Sequence, residues 1–278
     1  MLRFDLARLI RRALPRFARQ GRVIKLAEIT PTAVLAANLE RLYLRPVRRW
    51  WEGSRDQLLV AYRRALQQSA VPGFMMDDNT GAAVTLSSVM RQLSEEIERL
   101  VLDLTYDMTD WVVQVEVWHR LRWGAAMQPH GVNLKTLIGA EDVADTLEVI
   151  MRENVSLVRN VSDSLKRRIE HVVYEGFTSR TPAREIAKEL SEATGIERKR
   201  AVRIAANQTN KLSSQLDTER MRQAGITQWE WRHSGKVHFR PVHKARNGKI
   251  YTFENAPEDM PGMLPYCGCK KRAVLTFD

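Results

Sequence analysis

The feature that most constrains the fold of this chain is a change in the spacing of its apolar residues near Gly225. From about Glu197 to Gln223, residues of one stripe recur at steps of three and four, namely Val202, Ala205, Thr209, Leu212 and Leu216. This spacing predicts an amphipathic helix that Gly225 ends. From Gln228 onward, Trp229 and Trp231 alternate with polar residues instead, as in a strand with one buried face. Strands are therefore expected only in the last part of the chain.

We predict an α+β fold, with a mainly helical amino-terminal part followed by a small carboxyl-terminal domain of helices and short antiparallel strands. A chain of 278 residues is long enough for two domains. We place a helical, basic arm at residues 1–150 and a compact domain at residues 151–278. Asn247-Gly248 predicts a hairpin-type turn, because both residues tolerate positive φ, and the apolar residues 273–277 predict a last strand.

Apolar spacing also predicts the earlier helices. They span about 32–68, 86–123, 141–151 and 181–195, with Pro46 expected to kink or end the first and Gly195 expected to close the last. Residues 71–83, rich in Gly, Asp and Asn, predict a loop.

The charge of the chain favours a polyanionic neighbour. Lys and Arg number 44 against 33 Asp and Glu, which gives a formal net charge of +11. Two Arg clusters are candidates for contacting DNA or a partner: Arg8, Arg11, Arg12 and Arg16, and Arg41, Arg45, Arg48 and Arg49. The first lies on a basic amphipathic helix, and one alternative is that its apolar stripe docks on its own domain with the arginines facing solvent. Binding to nucleic acid, binding to a protein and organelle targeting remain alternatives.

The sequence lacks both a membrane-spanning run and a signal peptide, and these two observations predict the cellular compartment. No apolar run approaches the ~18 residues that cross a bilayer, and the first residues form no signal-peptide block. The spacing Cys267-x-Cys269 is too short for an unstrained disulfide. We therefore expect a cytoplasmic product with reduced thiols and no membrane association.

Three of the six histidines and both cysteines fall between residues 233 and 269. Imidazole and thiolate are preferred zinc ligands, so His243, Cys267 and Cys269 predict a candidate zinc site, with His233 or His238 as a fourth ligand. On an extended strand His238 and His243 would point to opposite faces unless Pro241 or a bulge intervenes. Two alternatives stay open: buried thiols packed beside a hydrogen-bonded histidine, and a Cys–His nucleophile and base.

The order of several elements in the last part of the chain resembles the phage Mu F-like minor head proteins, also called phage head morphogenesis proteins. The resemblance covers roughly residues 150–278. Its motif residues are Asn207, Gln208 and Lys211 on a helix, Trp231 on a Trp-rich strand, Arg240 and His243 in RPVH, Gly248 in NGK, and Pro265, Cys267 and Cys269 in PYCGC. The chain departs from the family pattern at Lys236, His238 and Gly268, where an acid, an arginine and an arginine are usual.

The resemblance implies that these motif residues are structural, and that residues 151–278 are a head morphogenesis domain. It further implies a minor structural virion protein of a tailed phage, associated with the portal or the capsid interior and acting in head morphogenesis and in DNA packaging or delivery. Residues 1–150 would then contact the portal protein or the major capsid protein, and packaged double-stranded DNA would be bound non-specifically. The implied location is the virion, at the capsid interior or portal vertex, after assembly in the host cytoplasm.

Enzymatic activity is not expected, because the sequence has no Walker loop, dinucleotide fingerprint, zinc-protease helix or Gly-x-Ser-x-Gly elbow. No cofactor is expected apart from the zinc considered above. The alternative function is non-specific DNA binding through the Arg-rich amino-terminal helices.

Overall fold

The computed structural model describes residues 2–13, 22–69, 79–135 and 137–277. Its α-helices are α1 (Leu6–Ala13), α2 (Ala33–Gln68), α3 (Asn79–Met127), α4 (Ala144–Thr178), α5 (Ala183–Gln223) and α6 (Pro241–Ala245). Its strands are β1 (Arg22–Lys25), β2 (Gln228–Arg232), β3 (Ile250–Thr252) and β4 (Lys270–Phe277). Two short 3₁₀ turns, Gln128–His130 and Glu141–Val143, lie between α3 and α4. The fold is mainly helical with a small antiparallel sheet, which confirms the predicted α+β class.

The chain divides into two compact units, each built from separate segments. The first contains Met1–Asn38, Thr109–Met151 and Ala205–Asp278, and the second contains Leu39–Met108 and Arg152–Ile204. Each of the four long helices contributes residues to both units.

The second unit consists of four helical segments joined by buried side chains and a few specific polar contacts. The hydroxyl of Tyr43 on α2 donates to Oδ1 of Asn154 on α4 at 2.9 Å. Glu197 of α5 is buried and accepts from Ser164 Oγ at 2.9 Å and Arg168 Nε at 3.0 Å, both on α4. Burial, together with the nearby carboxylate of Glu153, raises the pKa of Tyr43, so this phenol stays a neutral donor.

The first unit contains a four-stranded sheet in the order β1-β4-β2-β3. All neighbouring strands are antiparallel, with Ile24 opposite Leu275, and Trp229 opposite both Ala273 and Tyr251. One core contains Leu6 and Ile10 of α1, Ile24 of β1, both tryptophans of β2, and Ala273, Leu275 and Phe277 of β4. The amino-terminal segment thus packs with the carboxyl-terminal strands, and α1 behaves as the ordinary amphipathic helix that was one of our alternatives.

Several predicted boundaries are wrong. Gly195 lies inside α5, which runs unbroken to Gln223, whereas Pro46 lies inside α2, whose bounds Ala33–Gln68 agree with the predicted helix. The α3 helix begins at Asn79, within the predicted loop, and residues 71–78 of that loop lie outside the described residues. In each case packing over a long helix outweighs the local preference of one residue.

A turn forms at Asn247-Gly248 as predicted, with the backbone N–H of Lys249 donating to the carbonyl of Arg246 at 3.0 Å and Gly248 at a positive φ of 81°, but it is not a hairpin. Residues 233–249, which include α6, connect β2 to β3, so no two-residue turn joins these strands. Asn247 instead accepts a hydrogen bond at Oδ1 from the backbone N–H of His233 at 2.9 Å. The predicted strands at Trp229–Trp231 and residues 273–277 are confirmed, and β4 begins three residues earlier, at Lys270.

None of the helices in the described ranges has the length and apolarity needed to cross a membrane.

Candidate functional site

His243 is carried by the short helix α6, which begins at Pro241. Proline suits the first helical position, because its fixed φ matches a helix and its missing N–H would have no partner there. Residues around His243 are therefore helical, and the face argument for an extended strand does not apply. The imidazole is buried, and its ring lies edge-on to the indole of Trp231 with a centroid distance of 5.0 Å.

Cys267 and Cys269 lie directly before β4 and face this imidazole. Sγ of Cys267 is 3.5 Å from Nδ1 of His243, and Sγ of Cys269 is 3.8 Å from the same nitrogen. One ligand atom from each of the three residues lies within 4.8 Å of the others. All three residues are at most 4% exposed. His243, Cys267 and Cys269 thus form one buried cluster.

The opposite side of the His243 ring contacts Asp259. Nε2 of His243 lies 3.0 Å from Oδ2 of Asp259, and the guanidinium of Arg246 donates to the other carboxylate oxygen. Partial burial would raise the pKa of Asp259, but the hydrogen bonds and charges of Arg246 and His243 outweigh it and lower that pKa. Asp259 is therefore a carboxylate that fixes the orientation of the ring, so that Nδ1 faces the sulfurs.

The two sulfurs have different proton affinities. The hydrogen bond from Cys269 lowers the pKa of Cys267 to about 4, against the effect of burial, and the backbone N–H groups of Gly262 and Cys269 and the charge of His243 lower it further. The same bond, together with burial, raises the pKa of Cys269, although the Ser234 N–H opposes this. The pair therefore favours one thiolate hydrogen-bonded by one thiol.

Two motif residues hold the loop that carries the cysteines. Oδ1 of Asn207 on α5 accepts from the backbone N–H of Tyr266, which has a positive φ of 61°. The Arg240 guanidinium donates to the carbonyl of Pro265 at 3.1 Å. A non-glycine residue in this conformation is strained, so these contacts stabilise the turn that precedes Cys267. Asn207, Arg240 and Pro265 therefore act on the cluster through the backbone.

The polar face of α5 also holds the start of β4. Nζ of Lys270 donates to Oδ1 of Asn210 at 2.9 Å, and Nζ of Lys271 donates to Oγ of Ser214 and, at 3.2 Å, to the carbonyl of Pro261. Burial lowers the pKa of Lys271 to about 8. Gly262 lies against Ser214 in a left-handed conformation, with a φ of 82°. These contacts hold the cysteine loop against the helix.

The other candidate residues lie outside this cluster. Gln208 is buried on α5, Lys211 is half-buried on the same helix, and Gly248 precedes β3. His238 is exposed, and neither it nor His233 belongs to the group of converging ligand atoms among the described residues. The expectation that one of these two histidines completes the group is therefore not met.

The predicted Arg residues are distributed over two helices. Arg8, Arg11 and Arg12 are exposed on α1, and Arg16 lies outside the described residues. On α2, Arg41, Arg48 and Arg49 are exposed, whereas Arg45 is half-buried and paired with Asp107 of α3. Trp50 is buried, so it is part of a core and has no surface for stacking on a base.

Sequence reasoning missed the residues that support the cluster, above all Asp259. It lies in a loop, and its importance depends on a contact with a residue 16 positions away. The acid and proline content of residues 254–261 indicated only a loop. A second missed feature is a buried ion pair in the first unit, between Glu116 of α3 and Arg220 of α5 at 2.6 Å. Beside it, buried His119 contacts Asp217 at 2.9 Å, which agrees with a structural role for this histidine.

The arrangement of His243, the two thiols and Asp259 allows two kinds of chemistry. A thiolate beside an imidazole that a carboxylate orients is the arrangement of a nucleophile and its base. Two sulfurs and a nitrogen that converge on one point are equally the ligand set of a soft or borderline metal ion. A nucleophile needs access for its substrate, and these sulfurs are buried.

Comparisons with known proteins address the same part of the chain. Residues 167–272 match the family model described as Phage Mu protein F like protein. Over 228 residues the chain is 24% identical to a protein of Haemophilus influenzae described as an uncharacterized protein, in an alignment that covers 76% of this chain and 48% of that protein. The chain thus spans about half the length of this relative. No solved structure matches the present chain.

The matched segment contains the cysteines, His243 and every other motif residue on which the resemblance was based. The resemblance inferred from the sequence is therefore confirmed over residues 167–272, which match the phage Mu protein F-like family.

Proposed function

We propose that the protein is a minor structural virion protein of a tailed phage that acts in head morphogenesis. The observation that carries the proposal is the family match of residues 167–272. In more detail, we propose that the protein associates with the portal protein or the major capsid protein, at the capsid interior or portal vertex. There it would act in packaging or delivering DNA. Catalysis is not part of the proposal, since the thiols of the candidate site are buried.

Exposed cations support a location near packaged DNA. The chain has a formal net charge of +11, and Arg8, Arg11 and Arg12 remain exposed although the apolar face of α1 is buried. Contacts between such side chains and phosphate groups are independent of base sequence and weaken steeply with salt. A protein that lines packaged DNA needs this kind of contact.

Co-expression with the portal protein of the same phage tests the proposal. The tagged chain is expected to co-elute with assembled portal rings and to be present in purified heads. A portal protein from an unrelated phage is the matched control, and it should not retain the chain. A chain that never enters portal complexes or heads would overturn the proposal.

The exposed arginines of α1 also favour a second candidate function, non-specific DNA binding without a partner. A gel-shift assay at low salt should then detect binding to naked DNA, and a triple change of Arg8, Arg11 and Arg12 to Glu should abolish it. The same charge change at the exposed Arg63, Arg64 and Arg91 is the control. No shift of DNA by the unmodified chain excludes this candidate and leaves the portal proposal to its own test.

A further inference from the structure

We infer that His243, Cys267 and Cys269 bind one zinc ion through Nδ1 and the two Sγ atoms, with Asp259 as the residue that positions the histidine. This inference goes beyond the proposed function and does not depend on it.

The distances between the three ligand atoms fit a tetrahedral ion. Zinc lies about 2.3 Å from a thiolate sulfur and about 2.0–2.1 Å from an imidazole nitrogen, so tetrahedral angles separate sulfur from nitrogen by roughly 3.5 Å. The measured separations from His243 Nδ1 are 3.5 Å to Cys267 and 3.8 Å to Cys269. Both sulfur–nitrogen separations are thus within a few tenths of an ångström of those in a zinc site, and all three ligand atoms lie within 4.8 Å of one another.

The surroundings of the three atoms are those of a metal site. A ligating histidine usually donates its second N–H to a carboxylate, which fixes the ring and raises its basicity. Nε2 of His243 contacts the Asp259 carboxylate at 3.0 Å, and Arg246 holds that carboxylate in place.

Zinc also explains why the cluster is buried. Packing alone would not require three ligand atoms to face one point, and a catalytic thiol would need a surface at which substrate enters. A structural ion, by contrast, stabilises a fold by joining segments that have little apolar surface of their own. Here it would join α6, the turn at Tyr266 and the start of β4.

Three protein ligands fill three of the four coordination positions of zinc, so the fourth ligand comes from outside this group. Among the residues that the structure describes, no fourth His, Cys, Asp or Glu ligand atom belongs to the group. The Cys-x-Cys spacing is compatible with this count, since alternate residues of an extended segment place both side chains on one face.

Metal analysis of the full chain tests the inference. After exposure to zinc under reducing conditions and removal of loosely bound ions, elemental analysis should find one zinc per chain. Replacement of zinc by cobalt(II) should produce the thiolate-to-cobalt charge-transfer absorption that two sulfur ligands cause. A folded chain that retains no stoichiometric zinc and shows no such absorption would overturn the inference.

Three variants separate a metal site from a packing cluster. Cys269→Ser should lose zinc and the charge-transfer absorption, whereas His238→Ala, at an exposed histidine outside the group, should keep both. Asp259→Asn should stay folded and bind zinc about 10–100-fold more weakly, as expected for loss of a positioning carboxylate. If Cys269→Ser fails to fold, the affinity of Asp259→Asn decides, and an unchanged affinity contradicts the assigned geometry.

Discussion

Ile24 of β1 lies directly opposite Leu275 of β4, and both side chains are buried in the core that surrounds the tryptophans of β2. A segment near the amino terminus therefore completes the sheet of the carboxyl-terminal domain. A fragment that began near residue 150 would lack this strand and the buried Leu6 and Ile10 of α1. For this reason the metal analysis requires the full chain.

Neighbouring residues of β1 provide a matched test of this pairing. Ile24→Ala removes a side chain that is 4% exposed and should lower the free energy of unfolding by about 2–5 kcal/mol. Val23→Ala, on the opposite face of the strand and 52% exposed, should change it by no more than about 0.5 kcal/mol. Urea unfolding followed by circular dichroism measures both. Equal effects would mean that β1 does not pack as described.

Substitutions at two glycines with positive φ separate the destabilising effect of a close contact from that of backbone strain. At Gly262 an added Cβ would lie 2.5 Å from Cβ of Ser214, whereas at Gly235 it would meet no atom within 4 Å. Both positions share the cost of a left-handed backbone, about 1–2 kcal/mol. Gly262→Ala should therefore be the more destabilising by a further ~1–3 kcal/mol. Thermal and urea unfolding of the two variants measure their difference in stability. If Gly235→Ala were the less stable of the two, the close approach of Gly262 to Ser214 would be refuted.

An element of this fold was predictable from the sequence when its pattern of apolar residues repeats over several positions of the chain. Alternation at Trp229 and Trp231 and the stripe of α5 each repeat over several residues, and both predictions are confirmed. The four residues of β1 have a single buried position, so no period exists and only the pairing with β4 makes them a strand. The buried pair Glu116–Arg220 is likewise invisible in sequence, because its partners are 104 positions apart.

The residues of the candidate site likewise divide into those that the sequence indicated and those that only the structure revealed. His243, Cys267 and Cys269 are residue types that attract attention wherever they occur, and their convergence agrees with the interpretation of a single cluster. Asp259, Gly262 and Asn210 have common residue types, and their roles come from single long-range contacts. Pro241 was the informative signal close to His243, since it marks the start of α6.

The stability of the sheet should depend on pH through Glu230. Burial alone would raise the pKa of this carboxyl, but Lys25, Arg272 and Arg232 outweigh it and hold the pKa below its ordinary value of 4.5. A lowered folded-state pKa stabilises the fold above the ordinary value, and this stabilisation is lost as the pH falls through the folded value. Glu230→Gln should therefore cost about 1.5–3 kcal/mol at neutral pH.

The difference between this variant and the unmodified chain should shrink as the pH falls through the lowered folded-state pKa of Glu230. Urea unfolding at a series of pH values measures the difference between the two chains. Glu254→Gln, at an exposed carboxyl, is the control and should show no such dependence. A difference that stays constant across the series would mean that the charge of Glu230 does not stabilise the sheet.

Removal of the buried carboxylate of Glu116 should be among the most damaging single changes in the first unit. Glu116→Gln leaves the fully buried guanidinium of Arg220 without its nearest counter-charge, and breaking a buried pair costs about 3–5 kcal/mol. We expect the lower end of this range, because Asp142 still lies 3.6 Å from Arg220. Asp110→Asn, an exposed acid on the same helix, should have almost no effect. Urea unfolding compares the two, and a mild Glu116→Gln would contradict the burial of this pair.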